Sequence, residues 1–412
     1  MKVAIMGYGV VGSGVAELLN KNYSNIVKKS TQPTLDLKYI LEIKDFPGDP
    51  NENLIVRDFN KILEDDEVGI VIETMGGMHP AYDFTMACLK AGKSVVTSNK
   101  ELVAAKGYEL LKVADEMNVN YMFEASVGGG IPIIRPINQC LAANEIKEIA
   151  GILNGTTNFI LTKMISDGMA FEEALKLAQE KGYAEKDPTA DVEGHDACRK
   201  VCILSSLSFG RHVYPEQVYT EGISKIDLAD VKYAKAWGGV IKLIGRAKKL
   251  EDGRIAAMVS PAFVKNQSQL AGVDDVFNAI LVRGDATGDV VFYGRGAGKM
   301  PTASAVVADV IDCASHQVQK KIIGWEEGNE DYVKNYLDTE SSAYIRVKSD
   351  DLEEAKAEIQ AVFGDISTLN SPEAKENEYA FTTGKMTERS LAEGMGSLKK
   401  SEVLSFVRIT DY

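Results

Sequence analysis

Short apolar runs alternate with amphipathic stretches over the first 130 residues of the chain. The apolar runs predict five buried strands, at Lys2–Met6, Leu37–Ile43, Gly69–Glu73, Ser94–Thr97 and Asn120–Glu124. Between them, apolar residues recur with helical spacing in three stretches, Val11–Asn22, Tyr82–Lys90 and Ala105–Met117. Strands separated by helices form βαβ units and parallel sheets. Residues 1–130 are therefore predicted to form an α/β domain of the Rossmann type, which binds nucleotides.

From residue 131 the pattern changes to helices followed by paired strands. Helical spacing predicts two helices, at Phe171–Lys181 and Glu193–Ser208. Two hairpin turns separate four strand candidates, Val240–Leu250, Arg254–Val264, Ala279–Arg283 and Asp289–Tyr293. Residues 131–300 are therefore predicted to form an α+β domain with an antiparallel sheet and helices on one face. The helical stretch Thr302–Lys320 predicts a return to the first domain, which would then include residues from about 301 to 325.

The last part of the chain, residues 341–412, follows a polar stretch at Glu326–Glu340 that is typical of a linker. Its pattern predicts strand, helix, strand, strand, helix and strand, at Ala343–Val347, Leu352–Val362, Ile366–Leu369, Glu378–Thr383, Thr387–Met395 and Val403–Ile409. This βαββαβ order is that of ferredoxin-like domains. The sequence therefore predicts three domains.

Composition and charge exclude several classes of protein. The chain has 46 Lys and Arg against 60 Asp and Glu, a net charge of −14, which disfavours a nucleic-acid-binding surface. No apolar run is long enough to span a membrane and no signal peptide is evident, so we expect a cytoplasmic protein without a membrane partner. The five cysteines and four histidines are scattered, which argues against a zinc site.

A glycine-rich loop connects the first predicted strand to the first predicted helix. It reads Gly7-Tyr8-Gly9-Val10-Val11-Gly12. In dinucleotide-binding loops the first two glycines allow a tight turn close to the pyrophosphate, and the third lets the helix pack near the strand. The loop predicts binding of NAD or NADP through these residues; the alternative is a glycine-rich turn without a ligand.

The end of the second predicted strand bears on the choice between NADP and NAD. It reads Glu42-Ile43-Lys44-Asp45. Lys44 would meet the 2′-phosphate of NADP, whereas Glu42 or Asp45 would hold a ribose hydroxyl of NAD. The alternative to both interpretations is that these charged residues form a solvated strand end without a cofactor contact. We favour NADP, with NAD as the alternative.

Five motifs in a fixed order carry a resemblance to a known family. They are VVTSNK (95–100), FEASVGGGIP (123–132), NGTTN (154–158), GYAEKDPTADVEGHDACRK (182–200), and YGRGAG (293–298) with PTASA (301–305). Over residues 1–320 the set closely resembles homoserine dehydrogenase, whose members interconvert L-homoserine and L-aspartate 4-semialdehyde with NAD or NADP. The resemblance makes residues 131–300 the catalytic and dimerisation domain.

Lys200 is the main catalytic candidate. Asp196 lies four residues earlier, so both side chains share one helix face, and apolar residues follow Lys200. Burial and a nearby nicotinamide cation would both lower the pKa of this lysine towards the range of a proton donor. Taken in isolation, the pair is better interpreted as a simple helix ion pair, and the surrounding motif reverses this preference. The resemblance implies that Lys200 protonates the aldehyde oxygen during reduction.

The resemblance also implies roles for other residues of the motifs. It makes Lys100 a second active-site lysine that orients substrate or touches the cofactor. The implied substrate-binding residues are Glu185, Asp196, Asp191 and Thr156, and further implied cofactor contacts are Thr74, Gly182 and Gly298. The family's monovalent cation site, which suits Na⁺, maps onto Glu124, Val127, Gly129 and Ile131, mainly through backbone carbonyls. A structural glycine turn is the alternative there.

The tail resembles an ACT domain, an amino-acid-binding regulatory module. The match departs at Lys348-Ser349-Asp350-Asp351-Leu352, where many ACT domains have an Asp-x-Pro-Gly turn. Threonine binding and a purely oligomerising role therefore remain alternatives. Strands of the second domain need cover on their exposed face, which predicts a homodimer, with a tetramer built through the tails as the alternative. A non-catalytic sensor is the rival function, but it predicts loss of Lys200 or its carboxylates.

Overall fold

The computed structural model describes residues 1–316, 323–372 and 375–412. In these residues the strands are β1 (Lys2–Met6), β2 (Asp36–Leu41), β3 (Ile55–Val56), β4 (Val68–Glu73), β5 (Ser94–Thr97), β6 (Tyr121–Met122), β7 (Ile146–Ile152), β8 (Tyr219–Thr220), β9 (Gly239–Lys249), β10 (Ile255–Lys265), β11 (Phe277–Gly284), β12 (Gly288–Arg295), β13 (Glu340–Lys348), β14 (Ile366–Thr368), β15 (Glu378–Thr383), β16 (Met386–Thr387) and β17 (Glu402–Thr410).

The helices of the same residues lie between these strands. They are α1 (Val10–Lys21), α2 (Tyr23–Ser30), α3 (Asn60–Leu63), α4 (Ala81–Lys90), α5 (Lys100–Glu116), α6 (Gly155–Ser166), α7 (Phe171–Glu180), α8 (Thr189–Val192), α9 (His195–Phe209), α10 (Leu228–Trp237), α11 (Lys299–Ser315), α12 (Leu352–Phe363) and α13 (Glu388–Ser397). None of the described helices is long and apolar enough to cross a membrane.

The described chain divides into two compact units. The first comprises Met1–Glu145, Cys202–Pro215 and Gly294–Asn329, and the second Ile146–Val201, Glu216–Tyr293 and Glu330–Tyr412. The three-domain division stays a prediction. The last part of the predicted helix Thr302–Lys320 lies outside the described residues, and α11 is described to Ser315.

The first unit contains a six-stranded sheet in the order β3-β2-β1-β4-β5-β6. All its neighbouring strands are parallel. β1 is central because its apolar residues Val3–Met6 are fully buried. The chain reverses its order across the sheet between β1 and β4, and parallel sheets bind ligands at the carboxyl ends of the strands beside such a reversal. The predicted Rossmann-type sheet is confirmed.

The observed ends of some strands and helices differ from the predicted ends where side chains hydrogen-bond to the backbone. The second strand ends at Leu41 rather than Ile43, since the Glu42 carboxylate accepts hydrogen bonds from the backbone N–H of Ile43 and Lys44. α5 begins five residues before the predicted Ala105, because the Asn99 side chain caps it by accepting from the Leu102 N–H. Apolar periodicity does not detect such polar caps.

The second unit contains an eleven-stranded mixed sheet. Its main path is β12-β11-β7-β9-β10-β17-β13-β15-β14. Both predicted hairpins are present, β9 with β10 and β11 with β12. The predicted antiparallel pairing is present between β11, β7, β9 and β10, but β10 also pairs in parallel with β8 and with β17, so the sheet as a whole is mixed.

The tail has the predicted βαββαβ order of its main elements. Its strands lie in the order β17-β13-β15-β14 and pack their apolar face on α12 and α13. Because β17 also pairs with β10, the tail strands extend the second unit's sheet instead of forming a sheet of their own. Pairing between strands so distant in sequence leaves no local signal.

Candidate active site

The glycine loop lies between β1 and α1. Gly7 has a φ of +93°, a backbone conformation that favours glycine. A Cβ on Gly12 would stand 2.0 Å from the Gly7 carbonyl oxygen, so only glycine allows α1 to approach the loop this closely. A Cβ on Gly9 would meet no atom within 4 Å. Val10 and Val11 open α1, and Val10 is 67% exposed. The loop thus fits the close approach of a dinucleotide.

Thr74 fastens this loop to the neighbouring strand end. Its hydroxyl donates to the Gly7 carbonyl over 2.9 Å, and its N–H donates to the Met6 carbonyl. The hydroxyl is therefore engaged by the loop backbone. Thr74 thus holds the glycine loop in shape.

A buried carboxylate connects the ends of β4 and β5. Glu73 accepts from the N–H of Met75 at 2.8 Å and from the Thr97 hydroxyl at 2.5 Å. Burial raises the pKa of Glu73. The Thr97 hydroxyl accepts from the N–H of Asn99, which caps α5. Lys100, the first residue of α5, therefore starts from a fixed backbone at the carboxyl edge of the sheet.

The end of β2 carries both charges that bear on cofactor choice. The Glu42 carboxylate accepts from the N–H of Tyr8 in the glycine loop at 2.9 Å. Lys44 is exposed, and its carbonyl accepts from Arg57, whose guanidinium also pairs with Asp45. Arg57 directly follows β3 and lies in no sequence motif, so no sequence pattern pointed to it. The site offers two cations and two carboxylates beside the loop.

Lys200 lies in a buried polar cluster of the second unit. Its ammonium donates to the Leu153 carbonyl at 2.7 Å and to Asp196 Oδ2 at 2.8 Å, and Lys200 is 6% exposed. The Asn154 side-chain amide donates to Asp191 Oδ1 at 2.7 Å and to Asp196 Oδ2 at 2.9 Å. The structure thus brings together Asp191, Asp196 and Lys200, through a residue that the sequence analysis had not selected.

Asn154 is also the N-cap of α6, where its side-chain oxygen accepts from the Thr157 N–H at 2.8 Å. One amide therefore fixes the helix start and both carboxylates. The NGTTN motif contained this residue, and the signal that would have singled it out is an Asn at an N-cap position beside a helix of catalytic candidates.

The remaining substrate candidates lie on the loop after α7. The Thr156 hydroxyl donates to the Tyr183 carbonyl at 2.7 Å, so it holds this loop. Glu185 is exposed on the same loop. Gly182 ends the turn after α7 with a φ of +73°.

The predicted cation loop follows β6. Both Glu124 oxygens accept from protein donors, namely the N–H groups of Ile133, Ile134 and Arg135 and the Arg135 side chain. A Cβ on Gly129 would stand 2.3 Å from the Gly296 carbonyl oxygen, and the N–H of Ile131 closes a turn onto Gly128. Among the described residues, no group of three or more His, Cys, Asp or Glu side chains is placed to hold a metal ion. Val127 lies buried in the same loop.

Asp309 of α11 supports this loop from the core. Its Oδ2 accepts from the Glu124 N–H at 2.8 Å. Complete burial raises the pKa of Asp309 to about 8 despite the neighbouring Arg135. Gly298, the N-cap of the same helix, has a φ of +120°.

Comparison with known proteins places these features in one family. Sequence profiles described as "Homoserine dehydrogenase, NAD binding domain" and "Homoserine dehydrogenase" match residues 7–124 and 132–311. The homoserine dehydrogenase of Helicobacter pylori is 38% identical, over 99% of this chain and 96% of its own.

Solved structures of homoserine dehydrogenases are also similar to this chain. A homoserine dehydrogenase from Thiobacillus denitrificans superposes with a TM-score of 0.88 at 34% identity, covering 100% of this chain and 98% of its own. A hyperthermophilic archaeal homoserine dehydrogenase in complex with NADPH matches with a TM-score of 0.62 at 27% identity, covering 76% of this chain and 97% of its own.

Proposed function

We propose a catalytic role for Lys200 from the premise that the chain belongs to the homoserine dehydrogenase family, whose members are oxidoreductases of amino-acid biosynthesis with an NAD-binding domain. In this proposal Lys200 is the proton donor and acceptor of the enzyme. The observation that carries the proposal is the position of the Lys200 ammonium, buried between the Leu153 carbonyl and Asp196. A buried cation held by a carboxylate on one side and a carbonyl on the other keeps a defined position for proton transfer.

The reaction divides between the chain and its cofactor. Hydride transfer to and from the aldehyde carbon is the chemistry that a bound nicotinamide would supply. During reduction, the Lys200 ammonium gives a proton to the oxygen that becomes the hydroxyl of homoserine. During oxidation, the neutral amine removes that proton. Asp196 stabilises the ammonium form through its 2.8 Å contact and so favours the donor state.

Substrate binding is assigned to the carboxylates near Lys200. Asp191 and Asp196 are held by the same Asn154 amide, so their spacing is fixed before substrate arrives. Their charge suits the ammonium group of an amino-acid substrate. Glu185 adds a third carboxylate on the loop that Thr156 holds, and Lys100 is assigned to orienting substrate or cofactor.

Cofactor binding is assigned to Gly7, Gly9, Val10, Val11, Gly12, Thr74, Lys100, Gly182 and Gly298. We favour NADP because Lys44 and Arg57 place two cations at the end of β2, and because a relative is solved with NADPH. NAD remains the alternative, since the Glu42 carboxylate lies at the same strand end.

Three further assignments complete the proposal. Backbone carbonyls of Glu124, Val127, Gly129 and Ile131 would hold a monovalent cation such as Na⁺, which suits oxygen ligands without a cluster of charged side chains. The βαββαβ order of the tail supports an ACT-like domain, with threonine as the candidate effector. The protein is assigned as a homodimer, with a tetramer through the tails as the alternative.

The test follows absorbance at about 340 nm, where reduced nicotinamide absorbs, with L-homoserine and either NADP⁺ or NAD⁺. We expect growth of the signal, with a lower KM for NADP⁺ than for NAD⁺. Lys44→Ala should raise the KM for NADP⁺ about tenfold, because one charge-assisted contact with the 2′-phosphate is lost. The KM for NAD⁺ should be unchanged, since NAD⁺ lacks that phosphate. If folded protein gave no signal with either cofactor, nor with L-aspartate 4-semialdehyde and reduced cofactor, the dehydrogenase assignment would fail.

A further inference from the structure

A short segment of the second unit, residues Tyr219–Ile223, lies between β10 and the end of α8. We call it the strap. On one side β8 pairs with β10, and the Glu221 N–H donates to the Val259 carbonyl at 2.8 Å. On the other side the Ile223 N–H donates to the Val192 carbonyl at 2.8 Å. The strap therefore joins the sheet to the segment that carries the substrate carboxylates.

The contact between the strap and that segment is unusually close. A Cβ on Gly222 would stand 2.1 Å from the Val192 carbonyl oxygen and 2.4 Å from the Glu193 Cα. Any side chain at this position would push the two backbones apart. Asp191 directly precedes the contacted residues and Asp196 lies three residues after Glu193, so we expect a shift of the strap to move both carboxylates.

A buried arginine of the tail, Arg408, forms an ion pair with the strap residue Glu221. Arg408 of β17 donates to Glu221 Oε2 at 2.6 Å and makes two 2.8 Å hydrogen bonds to the Glu388 carboxylate. The Arg408 and Glu388 side chains are each 3% exposed, whereas Glu221 is 23% exposed. The Arg408 guanidinium also lies 5.2 Å from the Tyr219 ring centroid. Planar, bidentate pairing of this kind fixes geometry as well as charge.

We propose that Arg408 and Glu221 are positioning residues for substrate binding, through which the tail sets the placement of Asp191 and Asp196. Neither residue touches the reacting atoms; both act through the strap. The inference rests on the proposed function, because it takes these two carboxylates as the ones that hold homoserine. It gives the tail a part in catalysis that needs no effector.

The chain supplies a matched control in a second arginine of the tail. Arg346 of β13 donates to Asp227 Oδ2 at 2.6 Å and also pairs with Asp230 and Glu378. This cluster joins the tail to α10 and not to the strap. Glu221→Gln and Asp227→Asn therefore replace a carboxylate by its amide at two arginine contacts of equal length, of which one reaches the strap.

The test measures the KM for L-homoserine, the KM for the cofactor and the melting temperature of both variants. We expect both to lower the melting temperature, and Glu221→Gln alone to raise the KM for L-homoserine, about tenfold, with the cofactor KM unchanged. Gly222→Ala should raise the same KM by displacing the strap directly. An unchanged KM in Glu221→Gln, or an equal rise in Asp227→Asn, would overturn the proposal.

Hydrogen exchange separates this inference from the proposed function, because it needs no turnover. Backbone amides of residues 192–196 should exchange faster in Glu221→Gln than in the unsubstituted protein, and at the unsubstituted rate in Asp227→Asn. Equal exchange in all three proteins would refute the coupling even if the enzyme is active. If the unsubstituted protein did not oxidise homoserine and exchange were faster in Glu221→Gln alone, the proposed function would be refuted. The coupling between the tail and residues 192–196 would still hold.

Discussion

At the scale of single residues, the Lys200 cluster shows how one amide holds two carboxylates, one of which in turn holds Lys200. Asp196 and Lys200 share a helix face, so their pairing was predictable from a spacing of four. The bonds from Asn154 join residues 37 and 42 positions apart, and no local pattern encodes such contacts. Sequence therefore identified the charged members of the cluster and missed the neutral residue that connects them.

Asn154 serves two purposes that substitution separates. Asn154→Ser keeps an N-cap acceptor for Thr157 but loses the amide donor, whereas Asn154→Ala loses both. We expect both variants to lower kcat/KM for L-homoserine about tenfold or more, since Asp191 and Asp196 lose a shared donor. Only Asn154→Ala should also lose the cap, about 1 kcal/mol of stability. Steady-state kinetics measure the effect on catalysis, and urea unfolding measures the effect on stability. Equal stability of the two variants would contradict the separation of the capping role of Asn154 from its role as an amide donor.

At the scale of elements, sequence predicted best where apolar periodicity decides the structure. β1 and β5 have the predicted bounds, and both hairpins of the second unit are present. Apolar periodicity did not predict α2, α10 or β8. β8 has two residues that pair with β10, which is too short for a periodic signal. Such elements are set by tertiary contacts.

The glycine loop gives a prediction with an internal control. Gly12→Ala should destabilise the protein by about 1–3 kcal/mol and weaken cofactor binding, because its Cβ would overlap the Gly7 carbonyl. Gly9→Ala has open space in the protein, so its melting temperature should be unchanged while cofactor affinity falls. Fluorescence titration with NADPH and thermal unfolding test both variants. Unchanged affinity in Gly9→Ala would show that the loop does not approach the cofactor.

The buried carboxyl of Asp309, which supports the loop after β6, predicts a pH dependence of stability. Burial raises the pKa of Asp309 to about 8, so the folded state keeps this proton at pH values where the unfolded chain, with a pKa of about 4, has lost it. The contribution of Asp309 to stability therefore falls as pH rises from about 4 to about 8, by up to about 1.4 kcal/mol per pH unit.

Asp309→Asn tests this sign, because asparagine keeps an acceptor for the Glu124 N–H and does not titrate. Between pH 6 and pH 8, the free energy of unfolding of the unsubstituted protein should decrease relative to that of the variant, measured by urea unfolding. A constant difference across this range would show that the Asp309 carboxyl does not titrate there.

At the scale of the whole molecule, the tail forms part of the second unit, and its strands continue the sheet of that unit. A polar stretch before residue 341 predicted a linker and a separate domain, yet β17 pairs with β10 and two buried arginines connect tail strands to Glu221 and to α10. The six elements of the tail could be predicted because each has its own periodicity. Their attachment could not, since parallel pairing of distant strands has no local signature.

The sheet edge supports the predicted homodimer. β12 is an edge strand whose residues are exposed or half-buried, and Tyr293 is 56% exposed on it. Light scattering should give about twice the chain mass of 44.8 kDa, and Tyr293→Asp should shift the population towards monomer. A monomer at micromolar concentration would contradict the dimer, and four times the chain mass would favour the tetramer.

Chemical rescue of Lys200→Ala tests the central claim most directly. The variant should fold, bind cofactor and lose about 10²–10⁴-fold in kcat, the usual contribution of a positioned proton donor. Added primary amines should restore part of the rate in proportion to their concentration, because an external amine replaces the missing Nζ. A variant with unchanged kcat, or one that binds cofactor normally but gains nothing from any amine, would contradict the assignment of Lys200 as the proton donor.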